Sequence, residues 1–423
     1  MLNGIFTIVA KNYLPRARTL GDSIKELHPD IDFYIILADE VDGYIDLVKE
    51  KYKTIEAKEL NIPGFYEMAF KYNVLEFCTA IKPFIFTFLF KEHGYKNIIY
   101  FDPDIRVFSS LNSIYEHLDS NFIVITPHLV YPELNFTGHV SQEELLFVGM
   151  FNLGFIAVSN SERGLFFISW WEKRLKDKCY ADKMSALHVD QKWIDFLPGF
   201  YEQGVFISRH LGMNVSVWNI HERKILSDGD QIIVESRFDN RKVPLVFYHY
   251  TGFDIGKLQL IHKNVPSSKI SLYPDYTKVL EIYNHELVAN GYYDCINWPY
   301  YYDKFADGTV VIEFYRRLFR VAISNGFQFT NPFETDGNSF YRCLNSEGIL
   351  IRTSDSSINK KRVGANPLIF TLDILLRTIK KIIGMKHYLT LFKLFREYSR
   401  MERHIFILKS YHKKENIEKW RYY

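Results

Sequence analysis

The chain opens on an unbroken apolar run, GIFTIVA (4–10), closed by the polar segment KNYLPRA. A run of that length between polar residues predicts a buried strand. Leu20, Ile24 and Leu27 then recur at helical spacing over 15–27, and DFYIILADE (32–40) predicts a second buried strand that ends in acids. Strand, helix and strand in succession imply parallel pairing with a right-handed crossover. Residues 74–94 predict a helix with Pro83 at a helix start or a kink. NIIYFDPDIRVF (97–108) predicts a strand, an acidic turn and a return. Strands are expected at 122–127, 151–159, VSVWNI (215–220) and PLVFYHY (244–250). Helices are expected at 164–179 and at 190–201 as far as Pro198. Beyond about residue 270 the strand signal fades into tyrosine-rich helical stretches, YTKVLEIYNHELVANGY and TVVIEFYRRLFRVAIS. No internal repeat or low-complexity segment interrupts the pattern.

The last sixty or so residues carry two amphipathic helical patterns. In 368–383, Leu372, Leu375, Leu376, Ile379, Ile382 and Ile383 share one arc and Arg377, Lys380 and Lys381 the opposite one. In 388–408, Leu391, Leu394, Phe395, Tyr398 and Ile405 face away from Lys393, Arg396, Arg400 and Arg403. Charge sharpens this picture. The formal net charge of the 423 residues is only +2, but residues 360–423 carry +11 and the remainder −9. A basic tail on an acidic body suits an anionic partner. Three readings stay open for the tail: a packed helical pair, an interfacial membrane anchor, and an oligomerisation element. No nucleic-acid-binding motif accompanies the basic charge, so nucleic acid is not an expected partner.

Composition excludes intrinsic disorder: 47% of residues are hydrophobic and 24% charged. Cys78, Cys179, Cys295 and Cys343 stand far apart with no CxxC spacing, which argues against a zinc site or disulfide framework and fits a reducing compartment. No apolar run reaches the ~18 residues of a membrane span. The N-terminus runs straight into a strand pattern without a signal-peptide signature, so a cytoplasmic location is expected, with the tail a candidate for peripheral attachment to the inner face of the cytoplasmic membrane.

The most informative chemistry is the acidic turn. An apolar strand delivers Asp102 and Asp104 at i and i+2, on the same side and roughly 6.6 Å apart in extended chain. Pro103 stiffens the turn. Two hard oxygen donors at a strand's carboxyl end suit Mg²⁺ or Mn²⁺, and in open α/β sheets ligands bind at that end. The same residues also suit a solvated turn, since Asp and Pro are turn formers.

Several blocks occur in order across residues 7–254: TIVAKNYL, EFCTAIKPF, YFDPDIRVF, FNLGFIAV, DQKWIDFLP, NVSVWNIHER and FYHYTGFD. With them the chain resembles bacterial GT-A-type glycosyltransferases related to glycogenin and the lipopolysaccharide galactosyltransferases (glycosyltransferase family 8). The resemblance implies an α/β, Rossmann-like fold with a mostly parallel sheet flanked by helices. It implies a nucleotide-sugar-binding catalytic domain, which the fading strand signal bounds at 1–265; the helical pattern and the charge then mark a mainly helical extension over 266–359 and the basic tail over 360–423. It also implies transfer of a sugar from a nucleotide diphosphate, a uridine diphosphate sugar by default, to a hydroxyl of a glycan or lipid-linked glycan, with retention of anomeric configuration, in bacterial surface polysaccharide synthesis such as lipopolysaccharide or capsule.

Carried over residue by residue, the resemblance makes Asp102, Asp104 and His249 the ligands of a metal. The nitrogen donor favours Mn²⁺, with Mg²⁺ the alternative. Val9, Ala10, Asn12, Tyr13 and Asp39 would meet the nucleotide, and Lys82 a phosphate. Asn152 and Gly154 would hold the sugar. Asp190 and Gln191 would lie at the reacting carbon. Asp190, which precedes QKWIDFL, also suits a helix cap. Gly252 belongs to the HYTG turn. The family's segment continues to a diphosphate-binding lysine where this chain has Ile255, which makes Lys257, the nearest lysine, the candidate. The alternative function is a GT-A-fold protein that binds a glycan or nucleotide without turnover.

Overall fold

The computed structural model describes residues 2–229, 231–253, 255, 273–354 and 367–408. These belong to two compact units. One comprises Met1–Pro63 with Val74–Tyr301, the other Gly64–Asn73 with Tyr302–Tyr423.

The first unit is built on a seven-stranded sheet. Its opening strands are β1 (Asn3–Val9), β2 (Asp32–Leu37), β3 (Lys53–Glu56) and β4 (Asn97–Phe101). After a short return strand, β5 (Ile105–Val107), come β6 (Ile123–Pro127) and β7 (Phe151–Ser159). A two-stranded ribbon, β8 (Ala181–Asp182) and β9 (Leu187–His188), precedes β10 (Val205–Ile207). The spatial order is β10-β6-β7-β4-β1-β2-β3. β1 pairs in parallel with both β2 and β4, β2 with β3, and β10 with β6, while β7 runs antiparallel to β4 and β6. The expected mostly parallel α/β sheet is therefore the one observed. Its strands are buried on both faces, as near-continuous apolar runs require.

Helix α1 (Leu14–Leu27) makes the first crossover and packs Leu14, Ala17, Leu20 and Ile24 into the core formed with Ile5, Val9, Phe33, Ile35 and Phe101. The helix expected over 74–94 is two helices. Their Val74–Ala80 and Lys82–His93 segments meet at Ile81, and Pro83 lies in the first turn of the second, where its missing N–H costs nothing. Asn112–Leu118, Gln142–Val148 and Glu162–Lys178 form further helices. A hairpin, β11 (Arg223–Asp228) and β12 (Gln231–Ser236), adds β13 (Lys242–Pro244) as a third strand, and β14 (Phe247–His249) pairs antiparallel with β5.

Two sequence expectations fail locally. VSVWNI is a turn whose only strand-like pairing is the isolated bridge of Val215 to Tyr248. The Asn219 side chain accepts from Ser216 N at 2.9 Å and donates to Asn214 O at 3.0 Å. Side-chain bonds to the backbone thus replace a ladder the alternation had suggested. Residues Gln191–Phe196 form a 3₁₀ helix followed by a short turn of α-helix from Leu197, with Pro198 at its start rather than its end.

The second unit is helical. Helix Phe65–Lys71 packs on Glu313–Ser324, and Phe70 meets the rings of Phe305, Phe319, Phe333 and Phe340. Arg316 is buried there. Its guanidinium donates to the carbonyls of Ala69, Phe70, Tyr72 and Tyr302 and to Asp303, at 2.7–3.1 Å. Pro367–Tyr398 is helical with a break at Gly384, and a 3₁₀ helix spans Met401–Ile407. Among the described residues no helix is long and apolar enough to cross a membrane.

Candidate metal centre and its surroundings

The carboxyl ends of β1, β2 and β4 face the same edge of the sheet. Because β7 is reversed, its beginning arrives there too, and β14 is drawn to it by pairing His249 with Ile105. Asp102 follows β4 directly, and its N–H is fixed by the Gly154 carbonyl at 2.7 Å. Asp104 O accepts from Tyr250 N at 2.7 Å. The carboxylates of Asp102 and Asp104 and the His249 ring offer ligand atoms all within 4.8 Å of one another. His249 Nε2 lies 3.2 Å from Asp104 Oδ1 and 3.7 Å from Asp102 Oδ2.

The ring is oriented from behind. His249 Nδ1 is 3.2 Å from Asn152 Oδ1 and 3.3 Å from Asn214 Oδ1. Two acceptors there call for a proton on Nδ1, which directs Nε2 at the carboxylates, where its lone pair would serve a bound cation. The amide of Asn214 is itself held, donating to Thr126 Oγ1 at 2.8 Å and to Asn152 Oδ1 at 3.1 Å. Trp218 packs edge-on against His249, with ring centroids 5.3 Å apart, and against His128 at 5.2 Å. Gly154 is required by space: a Cβ there would stand 2.4 Å from His249 Cε1 and 2.7 Å from Nδ1. These features suit a divalent cation. Two hard carboxylates and one imidazole nitrogen, with its other nitrogen anchored, form a donor set for Mn²⁺ or Mg²⁺.

Electrostatics follow from the crowding. Burial alone would raise the Asp104 carboxyl, but His249 and then Arg16 outweigh it and hold it below its ordinary value. Burial alone would lower His249, but Asp104 and Asp102 hold it above its ordinary value.

A second cluster adjoins the first. Lys82, the first residue of its helix, is buried and forms an ion pair with buried Asp190. Its ammonium also donates to Leu153 O at 2.9 Å and sits 4.0 Å from the centroid of the Tyr100 ring, whose hydroxyl donates to Asp102 Oδ1 at 2.6 Å. Asp190 makes no side-chain cap bond to the following helix; burial raises its carboxyl despite Lys82. Gln191 donates to Val148 O at 2.8 Å and accepts from Leu153 N at 3.4 Å. Asp102, Lys82, Asn152, Gly154, Asp190 and Gln191 are therefore linked through a connected set of bonds and ring contacts.

Val9 ends β1, Ala10 follows it as the cap of the next turn, and Asn12 and Tyr13 lie in that 3₁₀ turn. Tyr13 is about two-fifths exposed, and the Arg16 guanidinium lies 4.2 Å from its ring centroid. Asp39 stands apart from the triad. Its carboxylate accepts from Lys11 N, Lys11 Nζ, Glu40 N and Tyr301 N at 2.9–3.2 Å, so it fixes the loop that carries Asn12 and Tyr13. Gly252, at φ 69°, allows the turn after β14. Lys257 lies outside the described residues. Arg16, Tyr100, His128, Asn214 and Trp218 had no distinguishing signal of their own. Tyr100 opens the block YFDPDIRVF, and Asn214 and Trp218 lie in NVSVWNIHER, whose alternation suggests a strand.

No protein-family profile matches the chain. It is 23% identical over 271 residues to the uncharacterized protein YfnF of Bacillus subtilis (strain 168), an alignment covering 62% of this chain and 86% of YfnF. Among solved structures it is similar to the galactosyltransferase LgtC in complex with donor and acceptor sugar analogs, at 16% identity and a TM-score of 0.41, over 68% of this chain and 95% of LgtC. It is also similar to the glycosyltransferase GlyE of Streptococcus pneumoniae TIGR4, at 13% identity and a TM-score of 0.40, over 72% of this chain and 67% of GlyE. Mouse xyloside xylosyltransferase 1 aligns at 13% identity and a TM-score of 0.36, over 59% of this chain and 97% of that one.

Proposed function

We propose that the chain is a metal-dependent GT-A glycosyltransferase that moves a hexosyl group from a nucleotide-diphosphate donor to a glycan hydroxyl. One observation carries the reading: Asp102, Asp104 and His249 converge where the parallel strands end, with the imidazole oriented for coordination. A divalent cation held there would supply charge stabilisation to a diphosphate leaving group. The chain's own residues would do the rest. Asn152, the second residue of β7, would bind donor hydroxyls. Asp190, kept close to Tyr100 and Asp102 by Lys82, would face the anomeric carbon, with Gln191 beside it. Tyr13 would stack on the base. The sequence resemblance supports a uridine diphosphate sugar, Mn²⁺, retention of configuration, and an acceptor that is a lipid-linked glycan of a bacterial surface polysaccharide.

The test is diphosphate release from a panel of uridine diphosphate sugars with Mn²⁺ and a lipid-linked glycan acceptor. Release should vanish in excess chelator and in Asp102→Asn. Turnover undiminished by both would sink the proposal. Nucleotide-sugar binding without release would favour the binding-protein reading.

A cytoplasmic protein attached at the inner membrane face fits the C-terminal helix. Leu375, Ile382 and Phe395 are 54%, 77% and 52% exposed on Pro367–Tyr398, among exposed basic residues. Anionic vesicles should float the full chain, and the triple change to Glu at these positions should abolish flotation. Equal flotation of both would remove the membrane from the proposal.

A further inference from the structure

We infer that Arg16 is a diphosphate-binding residue: its guanidinium is where the phosphates of a nucleoside diphosphate, or free pyrophosphate, dock beside Asp102, Asp104 and His249. This rests on the donor-site reading above and names a residue that reading does not include.

Arg16 lies in the first turn of α1 and is 7% exposed. Among the described residues its guanidinium has no hydrogen bond and no ion pair, and Nη1 is buried without a partner. It rests between two rings, 4.2 Å from the centroid of Tyr13 and 5.4 Å from that of Tyr292. The carboxylate that acts on it is Asp104, already committed to the triad. A buried cation without a partner is costly. The molecule does not otherwise tolerate the arrangement around this edge. Lys11 is paired with Asp39, Lys82 with Asp190, and Arg106 forks onto Glu286 with both bonds at 2.8 Å. Of these four described cations, Arg16 is the one without a hydrogen-bonded anion.

The missing partner is an anion, and three features select phosphate. A divalent cation would neutralise the two aspartates, so an arriving diphosphate brings surplus negative charge that one adjacent guanidinium offsets. The planar fork of arginine matches phosphate oxygens in pairs. No side-chain bond caps the start of α1, and Arg16 stands in that first turn, where the positive end of a fourteen-residue helix favours an anion. The Tyr13 ring beneath the guanidinium would couple base and phosphate recognition in one turn of chain.

Isothermal titration of the full chain tests this with Mn²⁺ alone, then with uridine, uridine diphosphate and pyrophosphate in the presence of Mn²⁺. Arg16→Gln should weaken uridine diphosphate and pyrophosphate about ten- to a hundredfold. Uridine and Mn²⁺ alone should change by less than about twofold, and Arg16→Lys should fall between. Unchanged diphosphate affinity in a folded Arg16→Gln overturns the inference. Equal weakening of uridine and uridine diphosphate with a lowered melting temperature also overturns it, since Arg16 would then only prop Tyr13. Should Gln prevent folding, Arg16→Lys at full diphosphate affinity with normal melting would count against the fork-specific contact. A wild-type chain that binds pyrophosphate through Arg16 but not uridine diphosphate refutes the donor reading and leaves the anion site standing. One that binds neither refutes both.

Discussion

Two buried polar clusters in this chain are built to opposite rules. In the second unit, Arg316 is buried with five hydrogen bonds to four carbonyls and Asp303. In the first unit, Asp102, Asp104 and His249 crowd ligand atoms within 4.8 Å, and among the described residues Arg16 has no anion of its own. A satisfied cluster fixes the fold; one that leaves charges unmatched holds free energy that a ligand can release. The difference separates a stabilising network from a binding site without reference to any bound molecule.

That contrast can be broken most sharply at Asp102. Asp102→Asn should lower diphosphate release by about a thousandfold or more, while unfolding free energy stays within about 1 kcal/mol, because one of two crowded carboxylates has been neutralised. Chemical denaturation alongside the release assay decides it, and a large loss of stability would place Asp102 among structural residues. Arg316→Met is the mirror experiment. It strands buried acceptors and should cost about 3–5 kcal/mol of stability, with Mn²⁺ affinity in the folded protein unchanged by titration. Gly154→Ala should reduce Mn²⁺ affinity about tenfold or more, since its Cβ would displace the His249 ring; unchanged affinity would show that the ring has room to retreat.

The smallest effect concerns pH. Burial pulls His128 down to about 4 from an ordinary 6.5. The unfolded chain therefore binds this proton first as pH falls, and stability declines between about 6.5 and 4. His128→Gln should flatten that part of the stability profile measured by urea unfolding. An unaltered slope would assign it to the carboxylates alone.

Much of the site was legible because its residues end strong elements. NIIYF could hardly be anything but a buried strand, so Asp102 and Asp104 had to emerge at its carboxyl end. His249 followed from an apolar run in the same way. Lys82 and Asp190 were legible as residues but not as partners, since 108 positions separate them. Arg16 was not legible at all. In α1 it occupies a position where a solvated arginine is ordinary, and the packing around it, Tyr13 and Tyr292 included, is what buries it. Asn214 was hidden by local competition: polar side chains bonded to nearby backbone convert VSVWNI from a strand into the turn that follows it.

The reversal of β7 carries a consequence for motion. Residues that serve such an edge from parallel strands hang on the loops after them, where opening is easy. Asn152 and Gly154 instead sit at the start of β7, where the Gly154 carbonyl accepts from Asp102 N at 2.7 Å and the Gly154 amide donates to Asn152 Oδ1 at 3.1 Å. The Gly154 amide, bonded to a buried side chain, should be among the slower to exchange with solvent, and the support behind His249 should loosen together with the central sheet. The wall that orients the metal ligand would then keep time with global unfolding.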